Sequence, residues 1–308
     1  MGERIVVLGA GFGGLELSTT LSEMLGEDAQ VTLIDKSDAF VFGFSKLDLM
    51  FRAAAPESVR MYYRDIAKPG VRVLRETIAA IDPEARTVVT DAGTHAADVL
   101  VIALGADYDM DSTPGLAEAG NEFYSVAGAE RLAGIIPSFS SGHAVIGICG
   151  APFKCPPAPS ECALMLDDEL TARGVRGACE ISIVMPLGTP VPPSPETFRR
   201  WNESLRLATF KLLSGRRVAA LERSRSVAVL DDDSELPFDL FLGVPKHRAP
   251  DVVIASGRTP TAEAPAGPDH ACSAYSSWRR HQMPLSLRPS GARSSHEYMP
   301  HRPSTPRP

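Results

Sequence analysis

Residues 4–21, "RIVVLGAGFGGLELSTTL", decide the fold. The apolar run Ile5 to Leu8 predicts a buried strand; Gly9, Gly11 and Gly14 follow it in G-x-G-x-x-G spacing, and a helical period opens behind them near 13–25. Each glycine has a mechanical task. Gly9 makes a tight turn, Gly11 lets the backbone approach a pyrophosphate, and Gly14 lets the helix pack closely on the strand. The helix amino terminus offers N–H groups and a positive dipole end to the phosphates. A second strand at 31–34 runs into Asp35, whose carboxylate suits the hydroxyls of a ribose. Strand, glycines, helix, strand and acid together predict a dinucleotide site built from Gly9, Ala10, Gly11, Phe12, Gly13, Gly14, Asp35 and Lys36. The pattern alone does not choose between FAD and NAD.

Outward from this unit, apolar runs of strand length alternate with helical stretches, the texture of an α/β protein. Between 71 and 104 short strands and turn signals, Asp82-Pro83 and Asp91-Ala92-Gly93, predict a small β-meander that returns to the sheet through Asp98 to Gly105. A second βαβ-like unit follows, with a strand at 143–148, a helix near 159–173 and a strand at 180–185. Proline-rich loops then lead to a hairpin-like region near 216–238, and 251–255 reads as a last core strand. The expected architecture is two Rossmann-like three-layer domains with small β-meander insertions. Residues 1–110 form the first part of one domain, 111–238 the second domain and 239–257 a return strand to the first; 258–308 form a disordered tail. That tail holds nine prolines, eight serines and seven arginines but no lysine, with no period of helix or strand.

A chain of 308 residues with 44% hydrophobic content has room for two packed cores, and a net charge of -7 leaves no basic stripe for nucleic acid. Five cysteines, odd in number and without a C-x-x-C pair, argue against a metal site and against a secreted disulfide framework. No apolar run approaches the roughly 18 residues of a membrane helix, and the first strand begins too early for a signal segment. A cytoplasmic protein is expected. Peripheral membrane contact stays open, and oligomeric state is not legible.

The motif that opens the chain, the meander and the Leu104-Gly105 turn come in an order that resembles the FAD domain of the pyridine nucleotide-disulfide oxidoreductase superfamily. The resemblance implies FAD as cofactor. It places the strand ending Ala103-Leu104-Gly105 against the flavin and the backbone of Ile78 against the adenine. The second unit does not repeat the fingerprint. Its loop, "GICGAPFKCPPAPSEC" at 147–162, puts Cys149 between Gly147 and Gly150, and its later strand ends Met185-Pro186 rather than in an acid. NAD(P)H is therefore disfavoured as donor. The loop instead offers Cys155, next to Lys154 and just before a helix, both of which favour the thiolate that attacks sulfur and flavin.

Lys154-Cys155-Pro156-Pro157-Ala158-Pro159 with Glu161 resembles the sulfide:quinone oxidoreductases and the flavin subunit of flavocytochrome c sulfide dehydrogenase. In those proteins the cysteine faces the flavin and carries sulfur, so the resemblance makes Cys155 the catalytic residue. It also implies a small sulfur donor, a quinone or heme-protein acceptor, and peripheral membrane contact in intact relatives. The segment "VPKHRAPDVV", 244–253, looks like theirs on the acceptor side of the flavin. Cys149, Cys162 and Cys179 are read as core residues.

After Gly257 the resemblance stops. The family's Gly-Asp segment, second redox cysteine and flavin-covering region do not follow, and the new composition is that of an out-of-frame reading of a GC-rich gene. A lowered flavin affinity is expected from that loss. Two other readings stand beside sulfide oxidation: a type II NADH dehydrogenase, which shares the first fingerprint, and a non-catalytic truncated flavoprotein.

Overall fold

Two all-parallel sheets carry the chain, each with helices on one face and an antiparallel meander on the other. The computed structural model describes residues 2–188 and 210–257, all within the unit Met1–Ala274. The tail from Arg258 and most of the proline-rich stretch after Gly188 lie outside the described residues.

The first sheet has the order β5-β2-β1-β9. In chain order its half contains β1 (Glu3–Leu8), α1 (Phe12–Leu25), β2 (Ala29–Asp35), β3 (Ala39–Val41), α2 (Ser45–Phe51), β4 (Arg60–Tyr62), α3 (Tyr63–Ile66) and β5 (Val71–Arg75). The meander β6 (Ile78–Asp82), β7 (Thr87–Thr90) and β8 (Thr94–Ala96) follows, then β9 (Val99–Ile102). Alternation along β1 builds three layers. Ile5 and Val7 pack with Val31, Leu33, Tyr63 and the α1 leucines, while Val6 and Leu8 face the other way onto Ile34, Ile81 and Val88 of the meander side. A strand buried on both faces must be apolar at every position, which is why this segment reads as a continuous run.

The second half contains β10 (Asp107–Asp109), α4 (Leu116–Ala119), β11 (Asn121–Glu122), α5 (Val126–Ile135), β12 (Gly142–Ile148), α6 (Ala158–Ala172), β13 (Cys179–Met185) and β14 (Lys211–Ser214). It continues through β15 (Val218–Glu222), β16 (Val227–Leu230), β17 (Glu235–Pro237), β18 (Leu240–Val244), β19 (Lys246–Arg248) and α7 (Asp251–Ala255). Its sheet order is β11-β18-β12-β13-β14. Ile146, Ile148, Ile181 and Ile183 face α5 and α6; Val145, Val184 and Phe241 face the meander β15-β16-β17. The hairpin-like reading of 216–238 thus resolves as three antiparallel strands.

Two parts of the reading of 239–257 are corrected. β18 does not return to the first sheet but pairs with β11 and β12 inside the second. The return strand read over 251–255 is a short helix: Val253 and Ile254 both donate to the Pro250 carbonyl, and Val252 and Val253 pack on the first core while Ile254 points outward. A five-residue apolar run has too few positions for period 2 and period 3.6 to be told apart.

The sequence reading also passed over 39–66, and this segment positions the site. From α2, Leu47, Leu49 and Met50 leave the first sheet's neighbourhood and bury against α5 and α6 in the second core. Lys46, one residue before Leu47, is carried with them.

Candidate functional site

The glycine loop is built as the spacing requires. Gly9 has φ +95°, and a Cβ there would meet the Ala103 carbonyl at 2.6 Å; a Cβ on Gly14 would meet the Gly9 carbonyl at 1.8 Å. Those two glycines are needed by the fold itself. Gly11 differs, because a Cβ there would meet nothing within 4 Å. The α1 hydrogen-bond ladder begins with Leu15 N donating to Gly11 O at 3.0 Å, and the helix has neither a side-chain cap nor an acid in its first turn. The amides of Phe12, Gly13 and Gly14 therefore precede the ladder, with open space at Gly11 ahead of them, the arrangement that receives a phosphate.

Asp35 ties this loop to the end of β2. Its Oδ2 accepts from Ala10 N at 2.7 Å and its Oδ1 from Ser37 N at 2.8 Å. Each oxygen keeps a second lone pair for a ribose hydroxyl. Lys36 is exposed beside it. The Ala103-Leu104-Gly105 turn follows β9 directly against Gly9, with Ala103 N donating to Leu8 O at 2.7 Å and Gly105 at φ +71°. Ile78 and Leu104 pack in one cluster with Leu8 and Ile34, at the same end of the sheet. Phe12, 61% exposed, stands edge-on to Phe40 at 4.9 Å and to Phe42 at 5.6 Å, an aromatic wall of the kind a planar ring system covers. The residues present fit a flavin dinucleotide.

The corresponding loop of the second half does not fit a phosphate. A Cβ on Gly147 would meet the Phe241 ring at 2.4 Å, and one on Gly150 would meet the Lys246 side chain at 2.6 Å, so both glycines are filled by the protein's own packing. The α6 amino terminus is equally spent. Ala158 N donates to Cys155 O at 3.0 Å, Pro159 has no N–H, and Glu161 N donates to Pro157 O. Only the Ser160 amide is left to that first turn, against three at α1.

What this loop presents is Cys155, part-exposed, with a left-handed φ of +57°. An L-residue held there is strained, and such strain collects at functional sites. Around it lie groups that sequence reasoning did not single out. Tyr124 donates its hydroxyl to Cys155 O at 3.3 Å, and the Tyr124 carbonyl receives both the Tyr108 hydroxyl at 2.8 Å and Lys46 Nζ at 2.6 Å. Lys154 Nζ stands 5.1 Å from the centre of the Tyr108 ring. Burial lowers the pKa of Lys46 to about 8, with repulsion from Lys154 adding to the fall and Glu122 and Cys155 opposing it. Burial lowers that of Lys154 as well, against the attraction of Asp107, Cys155 and Glu122. Glu122 itself is fixed just ahead of α5, accepting from Tyr124 N at 2.8 Å, Ser125 N at 2.9 Å and the hydroxyl of Ser125, the residue that caps the helix. Two partly buried cations therefore bear on one cysteine.

The other described cysteines belong to the core as read. Cys149 and Cys162 are buried, and burial pushes the Cys149 thiol up to about 12 and that of Cys162 higher still; Cys179, at the start of β13, is also shifted upward by burial. Cys155 precedes α6, so it shares no helix face with Cys162.

Residues 3–267 match the family described as pyridine nucleotide-disulphide oxidoreductase. The chain belongs to that family. The match covers most of the chain and reaches past Gly257. Mouse mitochondrial sulfide:quinone oxidoreductase is 26% identical over 196 residues, which are 60% of this chain and 42% of that protein. A type II NADH:quinone oxidoreductase from Staphylococcus saprophyticus is 30% identical over 141 residues, 42% of this chain and 33% of that protein. The crystal structure of sulfide:quinone oxidoreductase from Aquifex aeolicus superposes with a TM-score of 0.75 at 23% identity, covering 83% of this chain and 61% of that one. At that identity the likeness is one of fold. The chain spans less than half the length of these two curated relatives. Members of the family are FAD-binding oxidoreductases, and the first half's geometry fits that cofactor. Among the described residues no helix is long and apolar enough to cross a membrane.

Lys46 was hidden because it lies 109 positions before Cys155 in a segment with no motif, and Tyr108, Tyr124 and Glu122 because they sit in or beside strands of three residues or fewer. His247 lay inside the quoted "VPKHRAPDVV" but carried no role; the structure puts it against the Cys155 loop rather than apart from it, with its backbone N–H donating to Pro152 O at 3.0 Å.

Proposed function

We propose that the chain is an FAD-dependent oxidoreductase that takes an electron pair from sulfide or a small thiol at Cys155 and passes it through flavin to a quinone, or to a heme protein. The observation that carries this reading is the placement of Cys155. Among the described cysteines it is the part-exposed one, in a strained backbone, with the charges of Lys46 and Lys154 bearing on it. Those surroundings favour thiolate, the nucleophilic form. Flavin, when bound, supplies a two-electron sink. The chain's own residues hold its phosphates at Gly11 to Gly14, meet its ribose at Asp35 and present sulfur at Cys155. A quinone acceptor is supported by the names of several relatives.

The names of the type II NADH:quinone oxidoreductases support a second reading, reduction by NADH. Against it stand the filled glycines Gly147 and Gly150 and the spent amides of α6. Anaerobic mixing of the FAD-loaded chain with sulfide and, separately, with NADH decides between them by loss of flavin absorbance. Sulfide is expected to bleach and NADH not. Cys155→Ser should leave flavin binding unchanged and abolish sulfide bleaching; equal bleaching in both proteins removes the cysteine from the reaction. A chain that purifies without flavin and gains no thermal stability from added FAD belongs to the non-catalytic reading.

A further inference from the structure

His247 is buried in β19, paired in register with Tyr108 of β10, and its ring meets those of Tyr108 at 5.0 Å and Tyr124 at 5.3 Å, both edge-on. Its Nδ1 lies 2.9 Å from the Pro245 carbonyl. A carbonyl only accepts, so Nδ1 carries the proton of the neutral ring and Nε2 is left with a lone pair. That lone pair is buried and has no partner among the described residues. The nearby hydroxyls do not serve it, since Tyr108 and Tyr124 both donate to carbonyls. Burial holds the ring neutral at physiological pH, bringing its pKa to about 4 against the bond to Pro245, with Lys154 and Lys46 adding to the fall. A bare buried acceptor, two partly buried ammoniums and a part-exposed cysteine thus share one neighbourhood, and none of the last three satisfies the acceptor.

We propose that His247 Nε2 is the proton-accepting contact for the sulfur donor, which gives it an S–H while Lys46 and Lys154 hold the charge left on sulfur. This assignment rests on the sulfur-donor reading above and names the chemical form that the site takes: a protic sulfur nucleophile, hydrogen sulfide or a small thiol. The S–H bond lengthens and breaks as the N–H bond forms, and its electron pair stays on sulfur. The imidazolium so made is repelled by the same two ammoniums and returns its proton to solvent, which resets the acceptor. An aprotic anion of similar size satisfies the lysines but not Nε2, so the arrangement selects for the proton as well as for the charge.

Two substitutions separate the ring's two nitrogens. In His247→Asn the amide can still donate to Pro245 O, but no acceptor remains at the Nε2 position; in His247→Gln an acceptor is kept near that position. With the FAD-loaded chain, the KM for sulfide in anaerobic flavin bleaching is expected to rise about tenfold or more in H247N, the worth of one buried hydrogen bond, and to stay near wild type in H247Q. The second readout needs no turnover. In histidine-labelled protein the Nε2 resonance that disappears in H247N should move on adding sodium hydrosulfide and stay still with sodium chloride at equal ionic strength. Bleaching with the same KM in wild type and H247N, or a resonance that hydrosulfide does not move, overturns the assignment while leaving the sulfur-donor reading intact. A wild type that sulfide does not bleach, with a resonance that nevertheless moves, sinks the redox reading and leaves the binding contact standing.

Discussion

Replacing Lys46 with methionine separates the cost of the buried charge from its use. The ammonium is in place because Leu47, Leu49 and Met50 anchor α2 in the second core, and its pKa falls from 10.5 to about 8, chiefly by burial. At pH 7 it is charged in both the folded and the unfolded chain. The fall then corresponds to about 3 kcal/mol of lost folding free energy, an upper bound because the side chain is only partly buried. The sign follows from a depressed base: between about 8 and 10.5 the unfolded chain holds the extra proton, so wild-type stability climbs as pH rises through that window. Methionine matches the lysine stem. The Tyr124 carbonyl that loses Lys46 Nζ keeps the Tyr108 hydroxyl at 2.8 Å, so no buried acceptor is orphaned. Allowing about 1 kcal/mol for the lost hydrogen bond, Lys46→Met should be more stable than wild type by about 2 kcal/mol at pH 7. The gap should close toward about pH 10. Urea unfolding followed by circular dichroism at about pH 7, 8.5 and 10 measures it. A variant less stable than wild type at pH 7, or a gap that does not change with pH, refutes the reasoning.

The glycines give a paired test. Gly14→Ala, whose Cβ would sit 1.8 Å from a carbonyl, should prevent the loop from forming and lower the melting temperature of the flavin-free chain, whereas Gly11→Ala, facing open space, should leave that temperature alone and weaken FAD binding by titration. Cys155→Gly relieves the left-handed strain and should stabilise the flavin-free chain by about 0.5–1 kcal/mol in urea unfolding; a loss of stability would show that the cysteine side chain is worth more than its backbone costs. Timed iodoacetamide labelling near pH 8 with peptide mass analysis should find Cys155 modified ahead of Cys149 and Cys162, which stay protected until unfolding, since burial pushes both of those thiols up.

The strands were legible where burial on both faces leaves no alternative. Ile5 to Leu8 are apolar at every position, and Ile181 to Met185 at every position but Ser182, whose hydroxyl pairs with His143 Nε2, because neither face meets water; the G-x-G-x-x-G spacing set where the first strand stops. The run 251–255 has the same residue types and became a helix, since Pro250 starts a helical turn and only two of its side chains need cover. Composition cannot carry that distinction in five residues. The site divides the same way. Gly9 to Gly14, Asp35 and Cys155 each sit in a local motif and could be read, whereas Lys46, Tyr108, Tyr124, Glu122 and His247 converge only because α2 docks on α5 and α6 and β10 pairs with β19. Such contacts span 78 positions from Lys46 to Tyr124 and 139 from Tyr108 to His247, and leave no period or spacing behind.

The two loops that follow β1 and β12 occupy the same place in their half-domains, and their difference is a matter of where backbone amides go. After β1 the amides of Phe12, Gly13 and Gly14 stay ahead of the helix ladder and Gly11 leaves open space there, so an anion can be bound by backbone alone. After β12 the prolines and the bond from Ala158 N to Cys155 O remove that option. Charge recognition must then come from side chains, and those present are Lys154 from the loop and Lys46 from the other half of the chain. Side-chain ammoniums cost more to bury than backbone N–H groups, and that cost is recovered only when negative charge stands beside them. A thiolate at Cys155 supplies such a charge. The same prolines that take the amides away from a phosphate therefore fit the loop for sulfur, and both lysines' pKa values are lowered by burial even with the attraction of Cys155 opposing the fall.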